Sequence, residues 1–339
     1  MKIVFGPVNS RRFGASLGVD LSPAFKQCNF DCVYCELKPA RPTPSAANAP
    51  KISEILEQVQ AAFAKNLHFD FITLTANGEP SLYPQLSQLV NALNAIKRDK
   101  KLLILSNGTA VLQECASKAL LGLDVVKFSL DSVVAKTFFR IDRALKSVDL
   151  AAMVAKMAEF RAEFSGQLVM EVLVVQGFND SEAEFAALNE AFSRIKPDRI
   201  DISSIDRPSA YPVKAVSEQR LESLATLITA APVLVAKREN KGFAKDKTAF
   251  SGDKMDFEKN KFSGKTNFGE NKFDKKINFN DEKIDFTEDE LLKMLALRPQ
   301  SEFDIEAKFS EFSKKNLQNL LKNSKIYTQN LAGVKFYRA

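Results

Sequence analysis

Three of the four cysteines in this 339-residue sequence fall within eight positions, Cys28-Asn-Phe-Asp-Cys32-Val-Tyr-Cys35, while Cys115 stands alone. Thiols at i, i+4 and i+7 in a loop can hold three irons of a 4Fe-4S cubane and leave the fourth iron without a protein ligand. An open iron is a place for chemistry. A structural zinc site would need a fourth protein ligand, and the candidates are poor: Cys115 sits in an expected helix, and His68, the single histidine, just before an expected strand. Cys115 reads instead as a small buried hydrophobe. So few cysteines, so clustered, do not make a disulfide framework and fit a reducing compartment.

Polar residues recur where such chemistry would need them. Asn77-Gly78-Glu79-Pro80 closes one apolar run; Gly78 permits close backbone approach and Glu79 offers a carboxylate. Ser106 and Asn107 close the next run, and Ser129 and Asp131 the one after. Each of these four suits a turn or helix cap. Asn179 and Asp180, after Gly177, stand before an expected helix, where Asn-Asp is what an N-cap requires. Arg11, Arg12 and Arg207 are candidates to line a phosphate-bearing pocket or, equally, to form surface ion pairs.

The elements that must position these residues follow from the alternation of short β-rich apolar runs with amphipathic stretches between residues 51 and 237, which argues for βαβ units around a parallel sheet. A strand containing Val19 precedes the cysteines, and further strands are expected at 69–75, 102–105, 125–130, 168–175, 199–203 and 233–236. Helices are expected at 52–65, 84–96, 111–121, 150–164, 182–195 and 217–229. In such folds the C-terminal strand ends carry function, and the motifs above fall there.

Composition changes abruptly at 240–286: no Leu, Val or Pro, many Lys, Asp, Asn and Gly, and a Phe every five to seven residues. Isolated aromatics cannot offset chain entropy, so a low-complexity disordered linker is expected. From 287 to 339 order resumes. Thr287 caps a helix to Leu297, with Glu288, Asp289 and Glu290 in its first turn and Pro299 beyond it. Helices at 302–309 and 314–323 and strands at 325–329 and 334–337 follow, the pattern of a winged helix-turn-helix domain. Between Phe312 and Ala339 stand six cations and no acid. Lys314, Lys315, Lys322 and Lys325, on the expected recognition helix and following strand, are the candidate nucleic-acid contacts; a solvated face or a protein-binding module is the other reading.

CNFDCVYC resembles the CxxxCxxC signature of the radical S-adenosylmethionine superfamily, including the aromatic residue, Tyr34, before the third cysteine. The resemblance implies an α/β fold with a partial (βα)6 TIM-like barrel over residues 1–239. It implies S-adenosylmethionine bound to the open iron, and one-electron reduction, by a donor such as flavodoxin or ferredoxin, to a 5′-deoxyadenosyl radical. Asn77-Gly78-Glu79 resembles the family's GGE loop, which receives the methionine ammonium; Asn77 departs from its first glycine. Tyr34, Gly78, Glu79, Ser106, Asn107, Ser129 and Asp131 are then the implied cofactor-side residues, and Gly177, Asn179 and Asp180 resemble a further cofactor-side loop. More narrowly, GPVNSRRFGASLGVDL, the cysteines, Ile205-Asp206-Arg207-Pro208 and the C-terminal elements resemble bacterial relatives of the tRNA wyosine-base synthases. Those enzymes carry a second cluster on three further cysteines, which this chain, with only Cys115 left over, lacks.

Charges and glycines interrupt the N-terminal stretch, and no apolar run of about 18 residues occurs, so a cytoplasmic protein off the membrane is expected. The net charge of +6 supports a nucleic-acid partner only weakly. Three functions remain: a radical enzyme modifying RNA (a tRNA) or another nucleotide-containing substrate, a radical enzyme acting on a peptide or small molecule with the C-terminal domain as a docking module, and an iron–sulfur redox-sensing regulator. A sensor needs no adenosylmethionine loops, and several are present.

Overall fold

The computed structural model describes residues 3–10, 12–236, 283–331 and 333–339. Eight strands form one sheet in sequential order: β1 (Val4–Ser10), β2 (Gly14–Asp20), β3 (Phe71–Thr75), β4 (Lys101–Ser106), β5 (Val125–Ser129), β6 (Gln167–Val174), β7 (Arg199–Ser204) and β8 (Val233–Val235). From β2 to β8 every pairing is parallel, and β1 adds an antiparallel edge to β2. The parallel strands are covered by α1 (Ile52–Ala64), α2 (Leu86–Ile96), α3 (Glu114–Leu120), α4 (Ala135–Ile141), α5 (Leu150–Glu163), α6 (Glu182–Ile195) and α7 (Glu218–Ala225). This is an α/β fold of the partial-barrel kind that the sequence suggests.

Strands buried on both faces read as nearly continuous apolar runs, and β3, Phe-Ile-Thr-Leu-Thr, is typical. The helices bury single stripes: α6 puts Phe185, Leu188, Phe192 and Ile195 into the main core, and Ser181 caps it by accepting from the Glu184 N–H at 3.3 Å. Such a cap is worth about 1 kcal/mol. The stretch expected as one helix at 111–121 is split, because a 3-10 turn (Thr109–Leu112) precedes α3. Helix α4 is absent from the sequence reading; at seven residues, two of them adjacent phenylalanines, it is too short to show a helical period.

The C-terminal unit comprises α8 (Glu288–Leu297), β9 (Gln300–Ser301), α9 (Glu302–Lys308), α10 (Glu311–Lys322), β10 (Tyr327–Leu331) and β11 (Val334–Arg338). Its sheet runs β10-β11-β9, all antiparallel, and Leu291, Leu295, Phe309, Leu317, Leu320 and Phe336 are buried in it. Three boundaries move. The expected linker 240–286 ends earlier: the Ile284 N–H donates to Lys308 O at 2.9 Å, and the Phe286 ring lies 5.2 Å from that of Phe309, so 283–286 belong to this unit. Residues 240–282 lie outside those described. Helix α10 begins at Glu311, one turn before the expected 314, because Ser310 caps it through the Ser313 N–H at 3.2 Å. The strand expected at 325–329 lies two residues later. Among the described residues, no helix is long and apolar enough to cross a membrane.

Candidate functional site

Cys28, Cys32 and Cys35 occupy a loop pinned from three sides. Helix α4 and the turn after it receive the loop's backbone: Asp31 N–H donates to Asp142 O at 3.1 Å and Val33 N–H to Ile141 O at 2.8 Å. The Leu145 N–H returns a bond to Asn29 O at 3.0 Å. Phe30 packs edge-on against Phe138 of α4, with centroids 5.6 Å apart. Lys26, inside the loop, pairs with Asp31 at 2.6 Å, and the Tyr211 hydroxyl donates to the same carboxylate.

The third side is the loop after β3. Gln27 and Gly78 form a parallel bridge, with Gln27 N–H to Asn77 O at 2.8 Å and Glu79 N–H to Gln27 O at 2.9 Å. Gly78 has φ +139°, and a Cβ there would stand 1.8 Å from Gln27 O, so the two strands of chain meet only because this residue is glycine. Asn77, the departure from GGE, is anchored on β2: its side-chain amide and its N–H donate to the two Asp20 carboxylate oxygens at 2.8 and 3.0 Å.

All three cysteines line one cavity of about 420 Å³ together with Lys26, Tyr34, Gly78, Glu79, Ser106, Asn107 and Ser129. Six of the seven implied cofactor-side residues therefore converge. Glu79 is buried, and its carboxylate accepts from Ser106 Oγ at 2.8 Å, Ser81 N–H at 2.9 Å and Asn107 N–H at 2.7 Å. Burial pushes this carboxyl up, and the three donors oppose that shift. Asn107 also reaches Asn29 Oδ1 at 2.6 Å, tying the β4 loop to the cysteine loop. Asp131 is the exception. It is buried away from the cavity lining, takes the Tyr34 hydroxyl proton as a hydrogen bond, and accepts from Leu173 N–H at 2.7 Å. Through that bond it positions Tyr34.

Three further expectations are corrected. Asn179 is a structural staple: its amide donates to Asp131 O at 2.8 Å and Leu173 O at 3.0 Å and accepts from Val175 N–H at 2.8 Å; neither it, Gly177 nor Asp180 lines the cavity. Cys115 is exposed, not buried. Lys314 is not an open cation, since Glu306 and Glu311 hold it at 2.8 and 3.1 Å, while Lys315, Lys322 and Lys325 are exposed. Of the three arginines, Arg207 lines the cavity, the Arg12 guanidinium pairs with Glu171 at the cavity wall, and Arg11 lies outside the described residues.

The sequence reading missed Lys127, Glu171, Glu36, Asp142 and Arg298. Lys127 of β5 and Glu171 of β6 form a buried ion pair on the cavity wall. Burial first, and Arg12 second, depress Lys127 to about 8. A charge at the centre of an otherwise apolar strand was the available signal. Asp142 accepts from the Cys32 thiol at 3.4 Å, and burial, then the facing Asp131, push it well up. In the C-terminal unit, Arg298 reaches the same cavity and Glu36.

The cysteines fit a cubane better than a lone ion. Among the described residues, no three Cys, His, Asp or Glu side chains gather closely enough to hold one metal, whereas in a cluster each thiolate takes a different iron. Burial raises all three thiols, Cys28 to about 12, so they are protonated until a metal displaces the proton.

A model of the radical SAM superfamily matches residues 23–188. The chain is 40% identical over 240 residues to a UPF0026 protein of Helicobacter pylori strain J99, covering 70% of this chain and 77% of that one. It is 28% identical over 263 residues to a UPF0026 protein of Methanocaldococcus jannaschii, covering 77% and 79%. A radical SAM methyltransferase structure from Sphaerobacter thermophilus shares the fold at TM-score 0.50 and 16% identity, over 65% of this chain and 66% of that one. The chain belongs to the radical SAM superfamily, in the branch of the UPF0026 proteins. It is accordingly an enzyme of the class that uses a 4Fe-4S cluster and S-adenosylmethionine. The UPF0026 relatives do not confirm the narrower likeness to wyosine-base synthases.

Proposed function

We propose that Cys28, Cys32 and Cys35 hold the 4Fe-4S cluster and that the enzyme modifies an RNA, such as a tRNA, or another nucleotide-containing substrate. One observation carries the first half: the three thiols open onto the same cavity as Glu79, Ser106, Asn107 and Ser129, at the C-terminal ends of β3, β4 and β5. When bound, the cluster and S-adenosylmethionine supply reductive cleavage to a 5′-deoxyadenosyl radical, the electron coming from flavodoxin, ferredoxin or a similar donor.

The chain's own residues do the positioning. Glu79, held by three donors, would offer its carboxylate to the methionine ammonium. Tyr34, anchored on Asp131, and Asn107, anchored on Asn29, line the cofactor side. The Lys127–Glu171 pair, beside Ser129, gives the cavity wall a polar surface for substrate. The C-terminal unit, read as a winged helix, presents Lys315, Lys322 and Lys325 to RNA phosphates. A peptide or small-molecule substrate gains support from the ion pairs that neutralise Lys314. Anaerobic reconstitution, dithionite and S-adenosylmethionine, with assay of 5′-deoxyadenosine and mass spectrometry of co-purifying RNA, separates the two. A modified nucleoside in wild-type RNA that a cysteine variant lacks supports the RNA reading; cleavage with no such nucleoside favours the other.

A further inference from the structure

The mouth of the cavity is built from both units. Arg298, in the joint between α8 and β9, lines it beside Glu36 and Arg207. Arg207 ties the units together: its NH1 lies 3.3 Å from Asp304 Oδ2 and 3.4 Å from Pro299 O. Asp304 is also engaged by Lys308 at 3.1 Å and by the cap of α9, so it is committed.

Glu36 and Arg298 pair with each other and still leave two buried atoms without a hydrogen bond. Arg298 Nε lies 2.9 Å from Glu36 Oε1, but the N–H is not directed at that oxygen, and the atom is buried with no hydrogen-bond partner. Glu36 Oε2, 3.7 Å from Arg207 Nε, is likewise buried without a donor. Buried polar atoms with unmade hydrogen bonds are uncommon and costly. The two deficits are complementary. The guanidinium N–H wants an anionic oxygen, and its planar fork suits carboxylate or phosphate; the carboxylate oxygen wants an N–H or O–H.

We propose that Arg298, with Arg207 and Glu36, forms a receptor at the cavity mouth for a ligand that presents an oxyanion and a hydrogen-bond donor together. The C-terminal unit is thereby part of the binding site and not only an appendage. A nucleotide, with its phosphate and ribose hydroxyls, carries that pair of groups, whereas the amino-carboxylate of S-adenosylmethionine is already assigned to the cluster side and Glu79. The inference rests on the cavity being the cofactor and substrate site.

The test uses the full chain, reconstituted anaerobically, as wild type, Arg298→Gln and Arg338→Gln. Arg338 joins the units through Ser209 O at 3.1 Å and does not line the cavity, so its variant reports on docking alone. S-adenosylmethionine is titrated calorimetrically, and uridine 5′-monophosphate is followed by its shift of the unfolding temperature. With cluster absorbance equal, Arg298→Gln should weaken the nucleotide about tenfold or more and Arg338→Gln should not, while both variants bind S-adenosylmethionine as the wild type does. Wild-type nucleotide binding by Arg298→Gln, equal weakening by Arg338→Gln, a loss confined to S-adenosylmethionine, or no nucleotide binding by the wild type would overturn the proposal. A wild type that fails to bind S-adenosylmethionine would instead remove the underlying reading, before any substitution is compared.

Discussion

Replacing Cys28, Cys32 or Cys35 by Ala takes one of three anchors from the proposed cluster, so absorbance near roughly 400 nm should vanish from each reconstituted variant. Cys115→Ala, on an exposed position, should retain it in full. Glu79→Ala should keep that absorbance and weaken S-adenosylmethionine binding by calorimetry; unchanged affinity would remove Glu79 from the role given it. Lys127 makes a pH prediction. Its folded value of about 8 lies below the ordinary 10.5, so between those values the unfolded chain binds more protons and this group's contribution to stability rises with pH. Urea unfolding at pH 7.5 and 10 should shift the difference between wild type and Lys127→Met in favour of wild type, by up to about 3 kcal/mol; a flat difference would contradict the depressed value. The cysteines were legible in the sequence because their function demands adjacency along the chain. Lys127 and Glu171 were not, because they meet only when β5 and β6 pair, and 44 positions separate them.

At the scale of elements, the contact between the cysteine loop and the β3 loop hangs on one glycine. Gly78→Ala puts a Cβ into Gln27 O, whereas Gly177→Ala, also at positive φ, meets nothing within 4 Å. Both should lose about 1–2 kcal/mol from backbone strain, but only Gly78→Ala should also lose cluster occupancy, read as 400 nm absorbance per chain. Strand positions β3 to β8 were visible as apolar runs, and their ends carried the polar residues that converge on the cavity. What the sequence did not display was α4, whose backbone carries the far side of the cysteine loop. Nor did it display Asp131 and Asn179 as structural partners, since a buried staple and a cofactor contact use the same residue types at the same strand ends.

Across the whole molecule, the basic C-terminal stretch looked uniform in sequence and is not so in space. Acids outside that stretch, Glu306 and Glu311, neutralise Lys314, and Arg338 donates to Ser209 O in the loop after β7. Lys315, Lys322 and Lys325 changed together to Gln should therefore lower the slope of log affinity against log salt for RNA by about 0.7 for each phosphate no longer neutralised. Lys314→Gln alone should leave it nearly unchanged, and filter binding between low and moderate salt checks both. The Glu311–Lys314 pair, three residues apart on α10, is legible in residue order, but the reach of Glu306 to Lys314 and the approach of Arg298 to Glu36 are not, because they join segments that only folding brings together. The central claim is that the thiol-lined cavity is where S-adenosylmethionine is reductively cleaved. The most direct measurement is 5′-deoxyadenosine formed by the anaerobically reconstituted chain with dithionite. Wild type should produce it and the Cys32→Ala variant should not; equal amounts from both, or none from a wild type with its full cluster absorbance, would contradict the account.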